Sequence, residues 1–84
     1  MEIRYSPKFI RQYKKVPEEI KLRVKKKEIV FCKDPFDPRL KTHKLHGSQN
    51  EFMSFSIDYS YRIIFKLYEK EAVFYEIGTH DIYD

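Results

Sequence analysis

The chain has 84 residues, of which 17 are Lys or Arg and 13 are Asp or Glu, for a net charge of +4 at pH 7. We expect a single domain over residues 1–84, and no apolar run reaches the roughly 18 residues that a membrane span needs. The first residues do not resemble a signal peptide, and a single cysteine cannot form an internal disulfide. These features predict a cytoplasmic protein that has no membrane partner.

The charge is distributed unevenly along the chain. Residues 1–46 carry 14 Lys or Arg and 6 Asp or Glu, a net charge of +8, whereas residues 47–84 carry 3 and 7, a net charge of −4. Such polarity favours a basic surface that binds phosphates or an acidic protein segment. The lysine run at 25–27 also fits a solvated helix face.

The N-terminal half predicts one strand followed by two helices. Residues 2–5 alternate as a short strand does. Ser6 and Pro7 are typical of a helix start, and Phe9, Tyr13 and Val16 then follow one helical stripe.

Pro17 ends the first helix and begins the second, and prolines within 34–38 end the second. The second helix places three apolar residues on one face: Ile20, Val24 and Phe31. Cys32 follows an apolar run, and we expect it to pack in the core.

Three strands are predicted in the C-terminal half. Residues 52–57 and 61–68 alternate around a turn at 58–60, with Asp58 as a turn cap, and a third strand covers 72–77. In the second of these strands, Ile63 and Phe65 share one face and Arg62 lies on the other. The predicted fold is therefore α+β, with two N-terminal helices packed on a small, mostly antiparallel sheet in the order β-α-α-β-β-β.

Three segments carry a family resemblance: LKTHKLHG at 40–47, YRIIF at 61–65 and IGTHDIY at 77–83. Together with the order of the elements, they resemble the RelE/ParE toxin superfamily, in particular its YafQ-like, RelE/StbE-type branch. The resemblance implies a RelE-like toxin of a type II toxin–antitoxin system, an endoribonuclease that cleaves mRNA in the ribosomal A site. It also implies a cognate antitoxin that silences the toxin in a hetero-oligomer. The small size and basic charge of the domain favour a monomer for the free toxin.

RNA cleavage without a metal ion or other cofactor requires proton transfer and a cation at the scissile phosphate. Histidine titrates near neutrality, and arginine binds phosphate oxygens as a fork. We therefore assign His80 as the chief general acid or base, His46 as the second, and Arg62 as the phosphate ligand. Tyr83 would stack on or orient the nucleotide. Flanking RNA would bind three residues of the basic loop: Lys41, His43 and Lys44.

Each assignment has a simpler alternative. His80 and Tyr83 would be ordinary residues of the chain end, and Arg62 would form a cross-strand ion pair with Glu76. His43 and His46 would bind zinc with Cys32 or His80.

Two other functional classes remain open at this point. One is a ParE-like inhibitor that binds DNA gyrase without catalysis. The other is an interaction module whose basic helices only bind an acidic antitoxin segment.

Overall fold

The computed structural model describes residues 1–45, 47 and 51–79. Its elements, in chain order, are β1 (Glu2–Tyr5), α1 (Pro7–Tyr13), α2 (Glu18–Lys33), the 3-10 helix η1 (Pro38–Leu40), β2 (His43–Lys44), β3 (Met53–Ser56), β4 (Arg62–Leu67) and β5 (Glu71–Gly78). Over these ranges, neither α-helix has the length and apolar composition to cross a membrane.

The five strands form one sheet in the order β1-β5-β4-β3-β2. β1 pairs in parallel with β5, and every other neighbouring pair is antiparallel. The predicted α+β fold class is confirmed. The two-residue edge strand β2 was not predicted, since so short a strand leaves no periodic pattern in the sequence.

Local hydrogen bonds fix α1 against β5. Ser6 caps the helix by accepting a bond from the Phe9 amide at 3.0 Å, and its hydroxyl donates to the Tyr75 carbonyl at 2.8 Å. Further along, the Gln12 side-chain oxygen accepts a bond from the Ile77 amide at 2.9 Å. The helix therefore follows the part of β5 that β1 leaves uncovered.

The core lies between α2 and the sheet, and aromatic rings dominate it. Phe31 of α2 is 0% exposed, and its ring centroid lies 5.1, 5.0 and 5.2 Å from those of Phe55, Phe65 and Phe74, one on each of β3, β4 and β5. The predicted apolar face of the second helix is confirmed, because Ile20 and Val24 are buried with Phe31.

The prediction for Cys32 was wrong, because this residue is exposed. Successive helical residues are rotated by about 100°, so the residue after Phe31 turns away from the core. Its Sγ lies 3.8 Å from the Met1 carbonyl oxygen.

A hydrogen bond outside the core also joins α2 to the sheet. The Tyr5 hydroxyl on β1 donates to the Glu28 carboxylate on α2 at 3.0 Å. Burial raises the pKa of Glu28, and the bond from Tyr5 opposes that rise. The tyrosine thus stabilises a partly desolvated carboxylate between the two elements.

Replacing Phe31 with alanine is expected to lower the free energy of unfolding by about 3–5 kcal/mol, since it removes a ring from a packed cluster. Phe36→Ala is the matched control. Phe36 is 57% exposed, so its loss should change stability by no more than about 0.5 kcal/mol. Urea unfolding followed by circular dichroism measures the free energy of unfolding of both variants. Equal losses of stability in the two variants would contradict this description of the core.

Candidate functional site: a cationic cleft beside the β3–β4 turn

A cleft of about 490 Å³ opens where the β3–β4 turn meets η1 and α2. Its lining residues are Lys27, Arg39, Lys41, Ser56, Ile57, Asp58, Tyr59 and Arg62. Four of these side chains are cationic and one is a carboxylate. The composition of the lining favours an anionic ligand that bears more than one charge.

Arg62 is held at the start of β4. It pairs with Ser56 on β3 and with Gly78 on β5, and its Nη1 donates to the Ser56 hydroxyl at 2.6 Å. The alternating strand places Arg62 on the sheet face opposite the buried Ile63, as predicted. The carboxylate of Glu76, the alternative partner for Arg62, forms its ion pair with Lys8 at 3.0 Å.

Arg39 of η1 is oriented by Asp37, the N-cap residue of this short helix. Its Nε and Nη2 donate to the two carboxylate oxygens of Asp37 at 3.0 and 2.9 Å, and the Arg39 amide donates to Asp37 as well. These bonds to Arg39 lower the pKa of Asp37 to about 2. The two-pronged pair fixes the direction of the guanidinium, whose other edge remains able to bind an anion.

Lysines from two elements complete the cationic lining. Lys27 of α2 donates to the Arg39 carbonyl at 3.2 Å. Lys41 follows η1 in the left-handed region, with φ of 53°, a conformation that costs a non-glycine residue about 1 kcal/mol. The local turn therefore brings Lys41 to the cleft at some energetic expense.

The turn between β3 and β4 forms the remaining wall. Asp58 accepts bonds from the amides of Ser60 and Tyr61 at 2.9 and 2.7 Å, which confirms its predicted role as a turn cap. Tyr59 is 95% exposed at the tip of this turn. Its ring is available to a ligand that enters the cleft.

His43 and Lys44 lie on the edge strand β2 and point to opposite faces. His43 is in register with Ser54, and Lys44 with the core residue Met53, so His43 shares the face of Arg62. His43 Nδ1 lies 3.1 Å from the Lys41 carbonyl oxygen. A carbonyl oxygen only accepts, so a hydrogen bond here requires the proton on Nδ1.

The other predicted site residues, His46, His80 and Tyr83, lie outside the described residues, and their roles stay predictions. The described part of the chain contains no group of three or more His, Cys, Asp or Glu side chains placed to hold a metal ion.

Of the residues that line the cleft, sequence reasoning assigned only Lys41 and Arg62 to a site. Lys27 is the last residue of the 25–27 run, which fitted a solvated helix face equally well, and Arg39 lies in a segment with no clear period. Ser56 has no chemical signature of its own. The D-x-R spacing of Asp37 and Arg39 was the one available signal, since it permits the local ion pair that is observed.

No family model matches the chain, and no curated protein matches it. Solved structures do match. YafQ from E. coli strain BL21(DE3) superposes with a TM-score of 0.80 at 21% identity, over 98% of this chain and 96% of that one. The archaeal RelE–RelB complex from Pyrococcus horikoshii OT3 superposes with a TM-score of 0.76 at 12% identity, over 93% of this chain and 92% of that one. The E. coli DinJ–YafQ toxin–antitoxin complex superposes with a TM-score of 0.71 at 24% identity, over 96% of this chain and 93% of that one.

The chain therefore has the RelE-like toxin fold, and the resemblance predicted from the sequence is confirmed at the level of the fold. The superpositions extend over nearly the whole chain, so they include the strands that carry the cationic cleft.

If the cleft binds phosphates, removing its cations should weaken the salt dependence of single-strand binding. We expect Arg39→Gln and Lys41→Gln each to reduce the slope of log K against log salt by about 0.7 for a six-nucleotide 2′-O-methyl oligonucleotide. Lys70→Gln is the control, because Lys70 lies in the turn at the other end of β4. Fluorescence anisotropy over a salt series measures the slopes, and equal changes in all three variants would contradict a localised site.

Proposed function

We propose that this protein is the toxin of a type II toxin–antitoxin system and acts as a ribosome-dependent endoribonuclease on mRNA. The observation that carries this proposal is the cationic cleft on a RelE-like fold, with Arg62 bonded to Ser56 and three further cations around it. Gly78, the register partner of Arg62, is two residues before His80 in the sequence.

In the proposed reaction, the ribose 2′-hydroxyl loses a proton and attacks the adjacent phosphorus. The phosphorane-like transition state carries extra negative charge, which Arg62 and Arg39 stabilise as preorganised donors. The 5′-oxygen then leaves with a proton. His80 and His46 divide the two proton transfers, and Tyr83 orients the nucleotide.

His43 is the alternative to His46 as the second proton-transfer group, because strand register places it on the face of Arg62. Lys41 binds a flanking phosphate within the cleft, whereas Lys44 lies on the opposite side of β2 and contributes only to the general basic field.

Dependence on the ribosome follows from the small number of catalytic groups. Holding the substrate in a reactive geometry can supply several kcal/mol of the barrier, roughly 7–11 in well-oriented systems. An A site that fixes the mRNA would provide this order, and free RNA should be a poor substrate.

The partner that we propose for the free toxin is an acidic antitoxin segment. One of the matching structures is a toxin–antitoxin complex, and the first 46 residues of this chain carry a net charge of +8. A segment that neutralises the cleft would inhibit by competing with mRNA phosphates as well as by covering the site.

The proposal predicts cleavage of a defined mRNA in a purified translation system. Cuts should appear inside the reading frame, require ribosomes, and decrease about 10²–10⁴-fold in rate with His80→Ala, because a proton-transfer group is lost. Primer extension with and without ribosomes locates the cuts. Intact mRNA together with inhibited gyrase supercoiling would instead establish the ParE-like alternative.

The role of Arg62 predicts a graded series of variants. Arg62→Glu should abolish growth inhibition and cleavage, whereas Arg62→Lys should retain part of the activity, since it keeps the charge and loses the fork. Lys70→Glu is the matched charge reversal away from the cleft and should leave cleavage within about threefold of wild type. Thermal unfolding of each purified variant separates activity from folding, and a folded, toxic Arg62→Glu protein would refute phosphate binding by this residue.

A further inference from the structure

A cluster of aromatic rings lies on the sheet face that the helices leave open. Phe52 and Tyr75 pack edge to face, with ring centroids 5.3 Å apart, and the hydroxyls of Tyr75 and Tyr68 are 3.1 Å apart. The Lys66 ammonium lies 4.5 Å from the centroid of the Phe52 ring. We call Phe52, Lys66, Tyr68 and Tyr75 the aromatic patch.

Strand register places the aromatic patch on the same face as Arg62. Arg62, Ile64 and Lys66 alternate with the core residues of β4. Ile64 of β4 pairs with Glu76 of β5, and the next residue, Phe65, pairs with Phe74. Tyr75 is therefore the extra residue of a bulge in β5. Alternation places Tyr75 on the face opposite the core residue Phe74, and the extra residue lets Ile77 return to the core.

The aromatic patch is partly exposed and lies near the cationic cleft, from which the buried Ile64 separates it along β4. Tyr68 is 46% exposed, and Phe52, Lys66 and Tyr75 are half-buried. Arg62 and Lys66 are four residues apart on one strand, a distance of about 13 Å. A short single strand whose phosphates occupy the cleft can therefore reach the rings.

The charges on this face suit a polyanion. The two carboxylates of β5 are each paired, Glu71 with Arg4 at 2.8 Å and Glu76 with Lys8 at 3.0 Å. The Lys66 ammonium, by contrast, lies over the Phe52 ring. Its flexible stem allows the ammonium to reach a phosphate that lies beside this ring.

We propose that the aromatic patch is a base-stacking subsite for single-stranded RNA, adjacent to the phosphate-binding cleft. This inference rests on the proposed function, since it assigns the RNA segment that lies beyond the scissile phosphate. Every base has a π-face, so the subsite adds affinity without strong sequence preference.

The test compares two six-unit 2′-O-methyl oligomers of equal charge, one of uridines and one of abasic riboses. The 2′-O-methyl groups prevent attack by the 2′-oxygen. We expect wild-type protein to bind the uridine oligomer roughly 5- to 150-fold more tightly, the range for stacking of one base. In Tyr68→Leu and in Phe52→Leu, that ratio should fall toward one while binding of the abasic oligomer is unchanged.

Phe36→Leu is the matched control, an exposed phenylalanine outside the aromatic patch, and it should keep the wild-type ratio. Tyr68→Leu is the decisive variant because Tyr68 is exposed and its replacement should not impair folding. Circular dichroism melting verifies that each variant is folded.

Two results would overturn the subsite, and they differ in what they say about the proposed function. Equal, salt-dependent binding of both oligomers by wild type would leave phosphate binding in the cleft and reject stacking. Binding of neither oligomer would reject stacking and also remove the premise that this face binds RNA. A ratio that persists in both leucine variants would place base recognition elsewhere on the protein.

Discussion

The packing of Phe31 against three strands is the interaction on which the rest of the structure depends. Its ring meets Phe55, Phe65 and Phe74 at centroid distances of 5.0–5.2 Å, so one helical residue fixes α2 relative to β3, β4 and β5. A domain of this size buries only about 60% of the surface that its unfolded chain exposes. Large aromatic side chains compensate because each buries much area and gains further from edge-to-face contacts.

The position of α2 also determines the cationic cleft. Lys27 is four residues before Phe31 and extends over the Arg39 carbonyl at 3.2 Å. Each guanidinium is then fixed by a neighbour, Arg39 by Asp37 and Arg62 by Ser56. Preorganised cations lose little conformational entropy when an anion binds, but they repel one another while the site is empty. Asp37 and Asp58 offset part of that repulsion.

The sequence predicted the elements that show a regular apolar spacing or a helix-capping residue. It did not predict the short strand β2 or the residues that only tertiary packing brings into the cleft. The Ser6–Pro7 start, the Ile20–Val24–Phe31 face and the alternation around Arg62 were all readable, because burial imposes a regular spacing. β2 was not, since two residues form it and its pairing with β3 defines it. In the site, Arg62 and Lys41 were found by residue type. Lys27 and Arg39 were missed, because only the tertiary packing of α2 and η1 brings them together.

The polarity of charge along the chain is rearranged by the fold. Arg4 and Lys8 from the basic half pair with Glu71 and Glu76 on β5, so part of the acidic half is neutralised at the sheet. Lys27, Arg39 and Lys41 come from the same basic half and join Arg62 in the cleft. Carboxylates of β5 that would repel a phosphate near the sheet are thus occupied by cations from β1 and α1. The positive charge of the cleft comes from its own lining, in which four cationic side chains accompany one carboxylate.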